Sequence, residues 1–452
     1  MEQAVALLRP FLQLMNTAMK DSIADEHWRL VPDNWHEALG SFTDDDATLL
    51  VHGGSSPDWP SSLVDFARSV HAALPACNPA EGPSHSLPAE LRRGANPKKV
   101  HEMERLGSLI DRTAKLVGAD CVVELGSGKG YLAHTLAFVH KLQVVGFEMF
   151  ASLTEKANER SAKLVTAQLK AQLRGACLAA DDAPPPSFVA KRWSLGDEAA
   201  SNLGRSVVVG LHTCGDLAPL SMRLLSESEA VGLVSVGCCY HRLSDMHAHG
   251  TGCTAPACGY PMSRYVQSLS LQLEPCAKEF AAHDAHSWTR KGAHRAHAHR
   301  AALEVLLRAH PPSTPKQLGR VRRSDKRRLA STADNFVAYA HHALGWLGIV
   351  DVTDEEIEKA AHLVEEHTKR VKALYAVRLV LGRLTEFVIL YDRVLWLHEN
   401  IAALNVFLVP VFDPVLSPRN VALVATKIGG SPPRHCTEAA SPPRLGSAAL
   451  KG

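Results

Sequence analysis

The chain has 452 residues, 46 % of them hydrophobic and 21 % charged, which is apolar material for two or three domains with cores of their own. A formal net charge of +2 gives by itself no ground for a nucleic-acid partner, so such an argument has to rest on local clusters. Ten scattered cysteines lack the spacing of a secreted disulfide framework, the first residues lack a signal-peptide cleavage site, and no apolar run reaches the length of a membrane span. The expectation is a protein with reduced thiols, away from membranes, in the cytoplasm or nucleus.

Residues 1–74 read as a helical region: Ala4, Leu7, Leu8, Phe11, Leu12 and Met15 recur at helical spacing, and a further helix is predicted from Ser61 to Leu74. Residues 75–97, rich in Pro, Gly and Ser, read as a linker. Within 98–275, helices are predicted at Lys98 to Val117, Tyr131 to Val139 and Ser152 to Leu173. Strands are predicted at Asp120 to Glu124, Gln143 to Phe147, Phe188 to Leu195, Ser206 to Leu211 and Ala230 to Val236. Such alternation predicts an α/β core with a parallel, doubly wound sheet. Residues 276–400 read as a basic, histidine-rich segment followed by a helical insertion, its long helices at Asp354 to Lys372 and Leu384 to Asn400. Residues 401–428 read as an antiparallel hairpin completing the sheet, and 429–452 as a disordered tail.

The first strand of the core runs into Glu124-Leu-Gly126-Ser127-Gly128-Lys129-Gly130. Glycines there let the backbone turn tightly and approach a ligand, and the following helix N-terminus offers free N–H groups. Gly128 to Ala133 also satisfies the G-x-G-x-x-G/A pattern of dinucleotide binders, so a nicotinamide enzyme is one reading. Glu124 favours S-adenosylmethionine: a carboxylate at the strand end suits the cationic amino group of a methionine moiety, where a pyrophosphate binder has little use for it. Glu148, after the second strand, is placed to take the ribose hydroxyls. The bland reading is a glycine turn without a ligand.

The fourth and fifth strands end in Leu211-His212-Thr-Cys214-Gly-Asp216-Leu217 and Gly237-Cys238-Cys239-Tyr240-His241-Arg242. The carboxyl ends of adjacent strands border one crevice in an open α/β sheet. His212, Asp216, Tyr240 and His241 are therefore the candidate catalytic or acceptor-positioning residues, since methyl transfer needs a placed acceptor and a base for its proton. Cys238 and Cys239 also read as small core hydrophobes. A zinc reading draws on Cys238, Cys239, His241, His247, His249, Cys253 and Cys258, but there is no C-x-x-C pair, and no metal ligand is assigned. The run Lys316, Arg320, Arg322, Arg323, Lys326, Arg327 and Arg328 reads either as a phosphate-binding stretch or as a solvated face. The histidines at 283, 286, 294, 297 and 299 read as lying on an exposed helix.

WRLVPDNWHEAL, NPKKVHEM, VVELGSGKGYLA, VVGFE, VGLHTCGDLAP, VGCCYHRLS, YPMSRYV and VFDPVLSPRNVALVATK together resemble the methyltransferase-like proteins once named for a ribosomal RNA adenine dimethylase domain. The resemblance runs from about Trp28 to Lys427. It implies a Rossmann-like class I methyltransferase sheet with an N-terminal helical region and helical insertions, and a donor site on Glu124, Gly126, Gly128 and Glu148. The HTCGDL and CCYHR segments also resemble tRNA 2′-O-methyltransferases. Adenine N6 dimethylases carry an Asn/Asp-Pro-Pro-Tyr-like segment after the fourth strand; here that place is His212-Thr-Cys-Gly-Asp, with no aromatic ring to stack on a base. The expectation is an S-adenosylmethionine-dependent methyltransferase acting on RNA, with a protein substrate as the second choice. The alternative is a non-catalytic RNA- or protein-binding scaffold. The helical parts are expected to cap the pocket.

Overall fold

The computed structural model describes residues 1–75, 85–173, 184–193, 203–245, 258–283, 293–311 and 335–427. They form two compact units, Met1–Leu74 with Gln272–Val388, and Pro75–Leu271 with Ile389–Gly452. The basic run 316–328, the tail 429–452, and His247, His249 and Cys253 of the zinc reading lie outside the described residues. No helix among those described is long and apolar enough to cross a membrane.

The second unit holds a seven-stranded sheet of β1 (Cys121–Leu125), β2 (Val144–Glu148), β3 (Ser187–Ala190), β4 (Ser206–Thr213), β5 (Gly232–Gly237), β6 (Leu404–Pro410) and β7 (Val421–Lys427), ordered β3-β2-β1-β4-β5-β7-β6. The first five strands are parallel; β7 runs antiparallel to both β5 and β6. The central strands are near-continuous apolar runs because both faces are covered. Val207 and Val209 pack with Leu106, Ile110, Leu132 and Leu136 of the helices Pro97–Val117 and Tyr131–Phe138. Val208, one residue out of phase, packs on the other face with Met222, Leu225, Leu390 and Leu397. This order with one reversed strand is the Rossmann-like class I methyltransferase architecture.

Local chemistry sets the element ends. The 97–117 helix opens on Asn96, whose side chain accepts from Lys99 N at 2.8 Å, continues with Pro97 at its first position, and stops at left-handed Gly118. The stretch expected to be a plain linker contributes the short helix Ala89–Arg92, with Leu87 and Leu91 buried.

Two long helices were expected within 354–400; the structure has one, Asp354–Asn400, of 47 residues. No proline interrupts it. Its middle reads as a break because Ala373, Leu374, Ala376, Val377, Leu379, Val380 and Leu381 are all buried, which erases the amphipathic period. Gly382 is a close approach and not a stop: a Cβ there would stand 2.5 Å from Phe280 O. The unit boundary falls inside this helix, after Val388, and the helical unit begins again at Gln272.

Residues of this helix from Ile389 onward anchor the YPMSRYV segment. Buried Asp392 accepts from Met262 N and Ser263 N, both at 2.8 Å, and from Ser263 Oγ at 2.7 Å. Desolvation raises its carboxyl to about 6, opposed by those hydrogen bonds. Asp392→Ala strands two buried N–H donors and is expected to cost about 3 kcal/mol. Denaturant unfolding checks this, and an unchanged midpoint would contradict it.

In the helical unit the histidines expected on an exposed helix instead pack on aromatic rings. His299, 3 % exposed, lies 5.5 Å from Phe336 and 5.4 Å from Tyr339. His297 lies 4.4 Å from Tyr375, and His283 4.9 Å from Phe280. The helix Ala293–Ala309 buries Ala298, Ala301 and Ala302, and such small side chains let ring systems approach its backbone. His286 lies outside the described residues, and the side chain of His294 is not among those described.

Candidate functional site

The carboxyl ends of β1, β2, β4 and β5 lie side by side in the second unit, and the residues singled out from the sequence are at these ends. Glu124 is the penultimate residue of β1, paired with Gly146 on one side and Val209 on the other, and is 3 % exposed. Its Oε2 accepts from Ala133 N at 3.1 Å, in the first turn of the Tyr131–Phe138 helix. Burial pushes its carboxyl up to about 8, opposed by the Ala133 hydrogen bond and reinforced by the charge of Glu148. Glu124 thus caps this helix, and its carboxyl, protonated at neutral pH, would ionise beside a cation.

Glu148 ends β2. Its Oε2 accepts from Gly128 N at 2.9 Å and its Oε1 from Phe150 N at 3.0 Å, so it clamps the glycine loop. Gly126, Gly128 and Gly130 all have positive φ, between 56° and 71°. At Gly130 the requirement is absolute: a Cβ would stand 2.4 Å from the Phe188 ring and 2.8 Å from His134. Around Gly128 the opposite holds, since no atom lies within 4 Å of where a Cβ would stand. Ser127 is buried and its Oγ finds no hydrogen-bond partner among the described residues, while Lys129 is exposed. His134 lies beneath the loop, with Nε2 2.8 Å from Ser161 Oγ and Nδ1 against Gly130 O; desolvation lowers its pKa to about 4, leaving it neutral.

His212 interrupts β4. The pairing with β5 shifts register between Leu211 and Thr213, and His212 takes φ 61°, rare for a residue with a side chain. This bulge turns the imidazole onto the 97–117 helix, where Nε2 lies 3.1 Å from Glu102 Oε2. Glu102 is 1 % exposed; its Oε1 accepts from Ser417 Oγ at 2.6 Å, and Lys98 Nζ lies 3.6 Å from it. Desolvation would raise its pKa, but the hydrogen bonds from His212 and Ser417 and the charge of Lys98 hold it below the ordinary value. An ionised carboxylate only accepts, so the Nε2–H of His212 donates to Glu102 and Nδ1 is the ring nitrogen turned away from it. The same helix holds the 411–417 loop: Asp413 N donates to His101 Nε2 at 2.9 Å and Arg105 Nε to Val411 O at 3.1 Å. Glu102 and Ser417 carry no site signal of their own in the sequence; they fall in the NPKKVHEM and VFDPVLSPR segments, which bear the resemblance but no assigned chemistry.

The other candidates are placed differently. Asp216 Oδ1 accepts from Ser244 N at 2.9 Å and ties two loops together. Tyr240 is 2 % exposed, with the Arg393 guanidinium 5.5 Å from its ring centre. His241 is exposed. Cys214 stands against the adjacent pair, its Sγ 3.1 Å from that of Cys238 and 3.3 Å from that of Cys239. The hydrogen bond from Cys238 lowers the Cys214 pKa against desolvation, while the Cys238 thiol is raised.

Residues 98–246 match the family model described as a methyltransferase domain. The chain is 29 % identical over 265 residues to mouse probable methyltransferase-like protein 25, covering 54 % of this chain and 41 % of that protein. The human protein of the same name is 30 % identical over 256 residues, with 54 % and 40 % covered. The chain thus spans about two fifths of the length of these curated relatives. A solved RNA methyltransferase from Salinibacter ruber, in complex with S-adenosyl-L-homocysteine, is 21 % identical with a TM-score of 0.18, covering 28 % of this chain and 73 % of that one. At such scores its acceptor does not speak for this chain.

S-adenosylmethionine is the cofactor of this domain class, and the residues present fit it. Glu124 offers a buried carboxyl for the amino cation, Ser127 Oγ has no hydrogen-bond partner among the described residues, Gly128 leaves an open cradle, and Glu148 retains acceptor capacity for ribose hydroxyls.

Proposed function

We propose that the protein is an S-adenosylmethionine-dependent methyltransferase whose acceptor is a hydroxyl group of RNA. The observation that carries this reading is His212, turned out of β4 by a bulge and held through Nε2 on buried, ionised Glu102. A base so oriented suits an acceptor that must lose a proton, and β4 is the immediate neighbour of the strand that bears Glu124. The resemblance of the HTCGDL and CCYHR segments to tRNA 2′-O-methyltransferases supports RNA as the source of that hydroxyl.

When bound, the cofactor supplies an electrophilic methyl group on a sulfonium. Glu124 would hold its amino group, Glu148 its ribose, and the exposed apolar pair Met149 and Phe150 would give its adenine a surface. His212 Nδ1 would take the proton of the acceptor hydroxyl, and Glu102 would steady the charged imidazole through Nε2. Asp216 and Tyr240 shape the loops that carry these groups. The work is done in the cytoplasm or nucleus, where the free thiols stay reduced.

The test is transfer of labelled methyl from S-adenosylmethionine to total RNA, with total protein as the parallel acceptor. Label in RNA that survives as 2′-O-methyl nucleoside after nuclease digestion is expected. Label confined to protein, or in neither from a folded protein that binds the donor, would contradict the reading and favour the protein-substrate or scaffold alternative.

A further inference from the structure

Three cysteines from two strand ends converge on one point. Cys214 follows the β4 bulge; Cys238 and Cys239 follow β5, and Thr213 pairs with Gly237 just before them. The turns are pressed together: Gly215 has φ 57°, and a Cβ on it would stand 2.8 Å from Arg242 O. The three sulfurs form a near-equilateral triangle with sides of 3.1, 3.3 and 3.4 Å. Cys238 is buried, Cys239 half-buried and Cys214 exposed, so the triangle lies at the rim of the sheet and not in its core.

Neither ordinary fate of cysteine accounts for this. As small hydrophobes they would pack on apolar neighbours, yet these thiols are in contact with one another. As a disulfide, with sulfurs about 2.05 Å apart, two would pair and the third would be left over. A thiolate-bound zinc ion accounts for all three: Zn–S bonds of about 2.3 Å at tetrahedral angles put sulfurs about 3.8 Å apart, so the triangle here would open by about 0.4 to 0.7 Å on each side to hold the ion.

We propose that Cys214, Cys238 and Cys239 bind one Zn²⁺ through their three thiolates. Among the described residues no fourth His, Cys, Asp or Glu ligand atom joins the group. The fourth position is open to water or to a heteroatom of a bound molecule, the arrangement of reactive zinc sites in place of closed structural ones. Three thiolates on Zn²⁺ leave one negative charge, and Arg242 and His212 are near enough to Cys214 to act on it. The ion ties the end of β4, and with it the His212 bulge, to the end of β5. Sequence spacing concealed the site because its third ligand lies 24 residues from the Cys238 end of the pair.

The test uses the full chain purified under reducing conditions without chelator. Elemental analysis is expected to give one zinc per chain, and Co²⁺ exchanged into the protein is expected to show a thiolate charge-transfer band. Cys214→Ser and Cys239→Ser are expected to lower zinc content at least tenfold and remove the band. Circular dichroism and cooperative melting confirm folding independently of any donor or acceptor binding. Three outcomes would overturn the proposal: no zinc in, and no cobalt uptake by, the folded wild type with its three thiols unmodified and reduced; a disulfide among them by mass; or zinc retained by both folded variants.

Discussion

His212→Ala is expected to lower kcat by about 10²–10⁴-fold, the usual contribution of a positioned general base, while donor affinity and KM for the acceptor stay near those of the wild type. The side chain makes one described hydrogen bond, to Glu102, so its loss removes the base without opening the core. Glu102→Gln is the sharper companion. The amide oxygen still accepts from Nε2–H, so the ring stays oriented, but the counter-charge for the imidazolium is gone. A drop in kcat of roughly 10-fold or more at unchanged KM is expected. A purely structural role for Glu102 would instead lower stability and leave kcat of the folded fraction intact. Full turnover by His212→Ala would sink the assignment of the base.

The second large effect belongs to Glu124. Its carboxyl titrates near 8 in the folded protein because it is desolvated, whereas in the unfolded chain it titrates in the ordinary Glu range, about 4.3. Between those values the folded state holds a proton that the unfolded state releases, so this group makes stability fall as pH rises, with the full penalty above about 8. Without ligand, Glu124→Gln is therefore expected to match the wild type in mild acid and to exceed it by a few kcal/mol above that pH. Donor binding reverses the preference. A cationic amino group stabilises the carboxylate, so binding releases a proton at neutral pH, and affinity climbs with pH up to about 8. Glu124→Gln is expected to bind roughly 10- to 100-fold more weakly, through loss of a charge-assisted hydrogen bond, and to lose the proton release. Calorimetry in buffers of different ionisation enthalpy reads both; a variant with unchanged affinity and proton release would assign Glu124 to helix capping alone.

What could be read from the sequence was what is local. A strand running into three glycines is a contiguous signal, and Glu124, Gly128 and Glu148 are all found where their strands end. Gly130 could be marked as a turn residue, but that it also makes room for Phe188, 58 positions on in the chain, belongs to the fold. The partner of His212 was not legible: Glu102 is 110 residues earlier, on a helix where a glutamate ordinarily faces water, and only the folded 97–117 helix brings it under the β4 bulge. Asp392 was hidden in the same way, its one sequence signal being a charged pair, Asp392-Arg393, inside the apolar run from Phe387 to Leu397. The 354–400 helix was split on paper because full burial at its centre removes the period by which helices are recognised.

The donor site is tested most directly by calorimetric titration of the purified wild-type chain with S-adenosylmethionine and S-adenosylhomocysteine, beside Glu148→Ala. Saturable binding of one molecule per chain is predicted, weakened in the variant, whose glycine loop has lost the carboxylate that holds Gly128 and Phe150. Absence of binding by a cooperatively folded wild type, or equal binding by Glu148→Ala, would contradict it.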